Sequence, residues 1–333
     1  SDVEWHRLVY EWNATQAEYP REATLVQLFE AQVRRCPDAV AVRAKDGSLT
    51  YRELNARANQ LARHLQQQGV GRESLVGVCL ERTCELLVSL LGILKSGAAY
   101  VPLDPDYPRE RLRFMAADAG LSALVTQRKL RELVAVGSAT AVVLVDEQAG
   151  QIRQQAEHDL PAQAGAQDLV YVLYTSGSTG TPKGVEVLHG ALVNYLWAMR
   201  QRPGYEPQDV LLAMSSLSFD IAGTELYLPL ICGGRVELVT RDIATDGRRL
   251  RQYIESESVT MLQATPATMW MLLEAGWRGD GRLKALCGGE PMPVDLVRQL
   301  LERCGSLWNM YGPTEATVAC SCDRIESASE PIT

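Results

Sequence analysis

Short apolar runs alternate with amphipathic segments along most of the chain, and this alternation restricts the fold more than any other feature. Residues 75–80, 99–103, 121–126, 141–145 and 169–174 are apolar on both faces. A strand of that kind must be covered on both sides, which calls for a mostly parallel sheet dressed with helices. The segments between the runs read as those helices. Residues 84–94 form one that ends near Gly97, and Pro108 opens another that Gly120 closes. Earlier, residues 25–35 form a helix that stops before Pro37. Thr50 and Glu53 make a capping box for the next one, with Leu49 and Leu54 as its staple. Beyond residue 190 the pattern resumes. A helix at 192–199 is followed by strands near 210–214, 235–239, 259–263, 283–287 and 306–310. Residues 147–167, rich in Gln and Ala, read as a loop or a loosely held helix. Residues 1–23 show little periodicity, and 12–20 read as an extended connector.

At 333 residues the chain can bury a large core. Its net charge of -8 argues against a general binder of nucleic acid or anionic membrane, which needs a basic field. No apolar run is long enough to span a bilayer, and the N-terminus does not read as a signal peptide. The 8 cysteines are irregularly spaced and contain no C-x-x-C pair, which suits free thiols in a reducing cytoplasm.

The strand at 169–174 runs straight into T-S-G-S-T-G-T-P-K-G, residues 175–184. A loop of hydroxyls and glycines can turn several N–H and O–H groups onto one anion, and Lys183 adds a full positive charge. This is the composition of a phosphate-holding loop. It is not a Walker loop, because Gly184, not Ser or Thr, follows the lysine. A second motif, N-M-Y-G-P-T-E (309–315), follows an apolar run, and its Gly312-Pro313 turn projects Thr314 and Glu315 from the carboxyl end of a strand. Parallel sheets bind ligands at that end. A carboxylate beside a phosphate site is reasonable if Mg²⁺ lies between them, since Mg²⁺ favours one or two carboxylates plus phosphate oxygens. In a third motif, S-F-D-I-A-G-T-E-L (218–226), Asp220 stands at a strand–helix junction and is most simply read as a helix cap.

Together these motifs resemble the adenylate-forming superfamily, and more closely the adenylation domain of nonribosomal peptide synthetases. The likeness runs over nearly the whole chain in the family's order. It implies two flavodoxin-like, mostly parallel α/β subdomains covered by helices. The first would span 70–189. The second would combine 24–69 with 190–333, and 1–23 would be an entry segment from an upstream domain. The family's small C-terminal domain would lie outside this chain, so the piece is expected to bind ligands but turn over poorly.

The resemblance also implies roles. ATP would be held by Thr175, Ser176, Gly177, Ser178, Thr179, Gly180 and Lys183, and by Gly289, Asn309, Tyr311 and Thr314. Thr175, Lys183, Thr314 and Glu315 would serve catalysis, with Glu315 on Mg²⁺. Asp220 would bind the α-ammonium group of an amino acid. The side-chain pocket would be lined by Ile221, Thr224, Gln263, Leu286, Gly288, Met310, Val318 and Ala319. No acid or base lies among them, so a neutral side chain is expected, and Gln263 could bond a polar one. Ala222 stands where the family often has Ser. The partners implied are a phosphopantetheinyl carrier protein and neighbouring synthetase domains, with no nucleic acid and no membrane. Three rivals share parts of this pattern: an acyl- or aryl-CoA ligase, a non-catalytic ATP-binding module, and a kinase or NTPase. His189 reads equally as a nucleotide-site residue or a satisfied structural histidine.

Overall fold

The structure is a computed structural model that describes residues 2–176 and 180–328. Its strands are β1 (Val40–Ala44), β2 (Gly47–Thr50), β3 (Leu75–Cys79), β4 (Ala99–Pro102), β5 (Ala123–Thr126), β6 (Ala141–Leu144), β7 (Leu169–Thr175), β8 (Lys183–Leu188), β9 (Val210–Ala213), β10 (Arg235–Leu238), β11 (Met261–Ala264), β12 (Asp280–Gly288), β13 (Cys304–Tyr311) and β14 (Ser321–Ile325). They make two sheets. One runs β6-β5-β3-β4-β7-β8 and the other β14-β13-β12-β11-β9-β10-β1-β2. Both are parallel except at edges: β8 pairs antiparallel with β7, β14 with β13, and β2 with β1. The mixed α/β class read from the alternating runs is the one observed.

The parallel strands are apolar on both faces because both faces are covered. Every residue of β4, β5, β9 and β11 is buried. The helix Cys84–Lys95 is buried around nearly its whole circumference, which explains why its sequence lacks a polar face. One continuous core crosses between the sheets, joining Val76 and Tyr171 of one to Leu211 and Leu286 of the other. The helix Tyr51–Gln67 begins with the capping box read from its sequence: Thr50 accepts from the Glu53 N–H, and Glu53 accepts from the Thr50 N–H. Thr24 and Gln27 form a second box at Leu25–Arg35.

A partly buried arginine clamps the two sheets. Arg82, just past β3, donates to the carbonyls of Val239 (2.6 Å), just beyond β10, of Ala213 (2.8 Å), at the end of β9, and of Ser215, two residues further on. Glu225 sits behind it, fully buried, accepting from the Met214 N–H at 3.1 Å and the Ser215 N–H at 2.9 Å. Burial pushes the Glu225 carboxyl up to about 7, with the Arg82 charge opposing that rise.

Three segments depart from expectation. Residues 2–11 are helical, as Asp2–His6 and Arg7–Glu11, and expose Trp5, Tyr10 and Trp12. Residues 147–167 are firmly held, although only Ala149–Arg153 is helical. Asn59 donates to the Glu157 carbonyl at 2.7 Å, Gln60 to that of Arg153 at 2.9 Å, and Asn55 to Asp159 at 2.7 Å. Buried Lys95 pairs with Glu30 and, at 3.7 Å, with Asp159. Polar side chains anchor this strap where apolar ones were sought. The hairpin of β1 and β2 was also unread, because five and four residues give too short a period to recognise.

Candidate active site

The site lies where the β7–β8 hairpin meets the carboxyl ends of β12 and β13. Strand β7 reaches Thr175, which pairs directly with Lys183 at the start of β8. The loop expected to hold phosphate therefore joins two antiparallel strands. Thr175 is half-buried, and Ser176, Gly180 and Lys183 are exposed to solvent. Gly180 has φ of 83°, a left-handed conformation that favours glycine. Gly177, Ser178 and Thr179 lie outside the described residues.

The second motif arrives from β13. Asn309 and Tyr311 end that strand, Tyr311 with 66% of its surface exposed, as a ring that could stack on a base would be. Gly289 follows β12 with φ of 84°, next to the Asn309 side of β13. The chain then turns through Pro313 into the short helix Thr314–Ala316, which packs against β8. Thr314, Glu315 and the phosphate hairpin are thus neighbours. Thr317 and Val318 follow with φ of 61° and 68°. A β-branched residue in that region is strained, and here Val318 is also buried in the central core.

Asp220 immediately precedes the helix Ile221–Cys232 but does not cap it with its side chain. Its carboxylate lies within reach of the Thr314 side chain. Burial raises its pKa, the Thr314 and Ile221 bonds pull it back, and the Glu315 charge raises it again. This corrects the cap reading and brings the third motif against the second. The loop before Asp220 is held at Ser215 by Glu225 and at Ser216 by Asp104.

Thr224, Gln263, Leu286, Gly288, Met310 and Val318 are buried, and Ile221 and Ala319 are partly so. Leu286, Met310 and Val318 belong to the central core, with Ala319 and Cys322 packed against it. Gly288 pairs with Met310 across β12 and β13, so closely that an added Cβ would overlap the Met310 carbonyl oxygen. Gly288→Ala must therefore push β12 and β13 apart. The expected result is a loss of about 1–3 kcal/mol in denaturant unfolding, together with weaker amino-acid binding.

Three residues near the site were not legible as such. Tyr171, Tyr195 and Cys322 occupy apolar periodic positions and read as core. Yet Tyr171 and Tyr195 both lie within electrostatic reach of Asp220, and Tyr195 also of Cys322. The tyrosine hydroxyl was the sole available signal, since a buried one needs a partner. His189, by contrast, is structural. It is fully buried, its Nδ1 accepts the Leu25 N–H at 3.3 Å, and burial pushes its pKa down to about 4. An unfolded histidine binds its proton nearer pH 6.5, so His189 favours the folded state above that pH and loses this effect as pH falls toward 4. Glu225 has the opposite sign, since its raised pKa makes stability fall as pH climbs from about 4.5 to 7. His189→Gln should therefore lose less stability than the parent on acidification from pH 6.5 to 4, measured by urea unfolding at each pH.

For Mg²⁺, the donors present suit a shared site. Among the described residues no group of three or more His, Cys, Asp or Glu could hold a metal alone. A single exposed carboxylate, Glu315, beside a phosphate hairpin fits an ion that draws its other ligands from phosphate and water.

Two parallel sheets with a phosphate hairpin and an acid-bearing turn at their shared carboxyl edge define a nucleotide-using α/β protein. The chain belongs to the AMP-binding enzyme family, whose profile matches residues 29–332. It is 40% identical over 321 residues to tyrocidine synthase 3 of Brevibacillus parabrevis, which covers 96% of this chain and 5% of that protein. It is 37% identical to bacitracin synthase 3 of Bacillus licheniformis, over 96% of this chain and 5% of the relative. The chain thus spans about a twentieth of these relatives. Among solved structures it is similar to holo-AB3403, a four-domain nonribosomal peptide synthetase bound to AMP and glycine. That match has TM-score 0.83 and 35% identity, over 94% of this chain and 23% of the other. It is also similar to the nonribosomal peptide synthetase FmoA3 in its form bound to α-methyl-L-serine-AMP, with TM-score 0.89 and 30% identity, over 99% of this chain and 37% of the other.

Proposed function

We propose that this chain activates a neutral α-amino acid. The amino acid's carboxylate attacks the α-phosphate of ATP, the bond to the β-phosphate breaks, and aminoacyl-AMP and pyrophosphate result. The observation that carries this reading is the meeting of Asp220 with Thr314 and Glu315, next to the phosphate hairpin. An acid for the ammonium end of the substrate thereby stands one residue away from an acid suited to the metal-bound phosphates.

Each group has a task in this reading. Lys183 and the hydroxyls of Thr175, Ser176, Ser178, Thr179 and Thr314 bind the triphosphate, with the backbone at Gly177 and Gly180. Asn309, Tyr311 and Gly289 hold the adenine. Asp220 fixes the ammonium group, so the carboxylate points back toward the α-phosphate. Ile221, Thr224, Gln263, Leu286, Gly288, Met310, Val318 and Ala319 surround the side chain. Glu315 would hold Mg²⁺, which supplies charge neutralisation on the phosphates. Preorganised charge of this kind is usually the largest catalytic contribution. We take the two sheets as two subdomains, 70–189 and 24–69 with 190–333, with 1–23 as the entry segment. The relatives are synthetases much longer than this chain, which supports loading of the product onto a carrier protein's phosphopantetheine thiol by a larger assembly. Among the described residues no helix is long and apolar enough to cross a membrane. The reducing cytoplasm is the proposed setting.

The test is ATP–pyrophosphate exchange with amino acids set against the same acids lacking the amine, such as valine against isovalerate. Exchange that depends on the amine is expected. Equal exchange with isovalerate would instead favour an acyl-CoA ligase on the same scaffold.

A further inference from the structure

We infer that Glu225 is a positioning residue: it closes residues 214–225 into a pinned ring that carries Asp220, and so fixes where the substrate's ammonium group is held. This rests on the amino-acid-activating reading above and adds to it a residue that is itself fully buried.

Strand β9 ends at Ala213, and the helix Ile221–Cys232 begins just after Asp220. Glu225, on the second turn of that helix, reaches back to the chain as it leaves β9. Its carboxylate accepts from the Met214 N–H at 3.1 Å, the Ser215 N–H at 2.9 Å and the Ser215 Oγ at 2.8 Å. The helix thus ties its own approach segment at the base. Arg82 holds the same point from the other sheet by donating to the Ser215 carbonyl. Further along, Ser216 donates to Asp104, its Oγ accepts from the Ser218 N–H at 3.2 Å, and its carbonyl accepts from the Phe219 N–H at 3.0 Å. The Phe219 carbonyl then accepts from the Ala222 N–H at 3.1 Å, and that of Asp220 from the Gly223 N–H at 2.8 Å. Asp220 is therefore linked to Glu225 along both arms of the ring.

Packing does not fix the first arm. None of residues 214–220 is fully buried, and Phe219 is 60% exposed. Met214, Ser216, Leu217 and Phe219 line a cavity of about 670 Å³. A close-packed segment is held by neighbours on every side. This one has open space along one side, so hydrogen bonds carry its placement. Those at its base all go to one side chain, and a carboxylate suits them, with two oxygens accepting from three donors. Glutamine could keep the same bonds, with its oxygen on the two N–H groups and its NH₂ donating to the Ser215 Oγ. Methionine, of similar length, keeps none of them and frees the ring at its base. Misplacing a positioned group by about 1 Å can cost about 100-fold.

The test compares Glu225→Met with Glu225→Gln. Calorimetry measures, separately, binding of Mg·ATP and of the amino acid that supports the fastest ATP–pyrophosphate exchange in the parent, and amide hydrogen exchange reads residues 214–223. Glu225→Met should bind that amino acid about 10-fold more weakly or worse, with Mg·ATP affinity within about twofold and faster amide exchange confined to the ring. Glu225→Gln should return amino-acid affinity to within about threefold of the parent. Should Glu225→Met not fold, Ser216→Ala takes its place, because it removes two pins further along the ring. It should weaken the amino acid alone by about 3- to 10-fold. The proposal is overturned if the amino acid binds Glu225→Met, or Ser216→Ala in its place, as tightly as the parent. It is also overturned if both ligands weaken equally, as a purely structural role requires, or if Glu225→Gln is no better than Glu225→Met. In those cases the amino-acid-activating reading still stands. If no amino acid supports exchange in the parent, that reading fails and takes this one with it.

Discussion

Asp220→Asn is expected to weaken amino-acid binding roughly 30- to 150-fold while leaving ATP affinity within about twofold. Asparagine keeps the shape and can still bond to Thr314, so the local fold should survive. What it loses is the negative charge opposite an ammonium group. A charge-assisted hydrogen bond contributes about 2–3 kcal/mol, which gives that range. Asp220 is partly buried and has no basic neighbour among the causes that perturb its pKa. A partly buried carboxylate without such a neighbour gains from a cation placed beside it. Calorimetry of amino acid and of Mg·ATP, taken separately, reads the two effects. An equal loss of both affinities would show that Asp220 only supports the fold.

Arg82→Met is expected to destabilise the folded chain by about 3–5 kcal/mol, among the largest effects of any surface-remote substitution here. Methionine fills much of the arginine's volume, so the loss is that of charge and donors rather than of packing. The carbonyls of Ala213, Ser215 and Val239 each lose a donor, although Ala213 keeps the Val239 N–H, and Glu225 stays buried without an opposing charge. Adding Glu225→Gln should recover part of the loss, because a neutral amide can still bond to Ser215 without the cost of a buried charge. Denaturant unfolding of both single variants and the double variant gives the coupling. Strict additivity would mean that the two residues act independently.

The sequence carried the fold well where burial was two-sided. Continuous apolar runs such as 121–126 and 210–214 have few other uses, and Thr50 with Glu53 states a helix start in chemical terms. It carried less where structure depends on polar anchoring. The 147–167 strap has few large apolar residues, and its hold comes largely from Asn55, Asn59 and Gln60 on a distant helix. No local pattern reveals partners about a hundred residues away. The site showed the same division. Lys183, Thr314 and Glu315 stood in motifs whose turns and charges point to phosphate. Tyr195 looked like any residue on an apolar helix face, because only its hydroxyl, 2.7 Å from the Thr224 Oγ1, sets it apart. Asp220 was ambiguous for a different reason. A helix-capping acid and a ligand-binding acid occupy the same sequence position, and only the direction of the side chain separates them.

The most direct measurement of convergence on one triphosphate is a single-turnover reaction with the protein in excess over Mg·ATP labelled at the α- and γ-phosphates, in a mixture of neutral amino acids. The account predicts that the α-label appears in aminoacyl-AMP and the γ-label in pyrophosphate, both only when amino acid is present. Label recovered as ADP and phosphate, or AMP formation indifferent to amino acid, would contradict it.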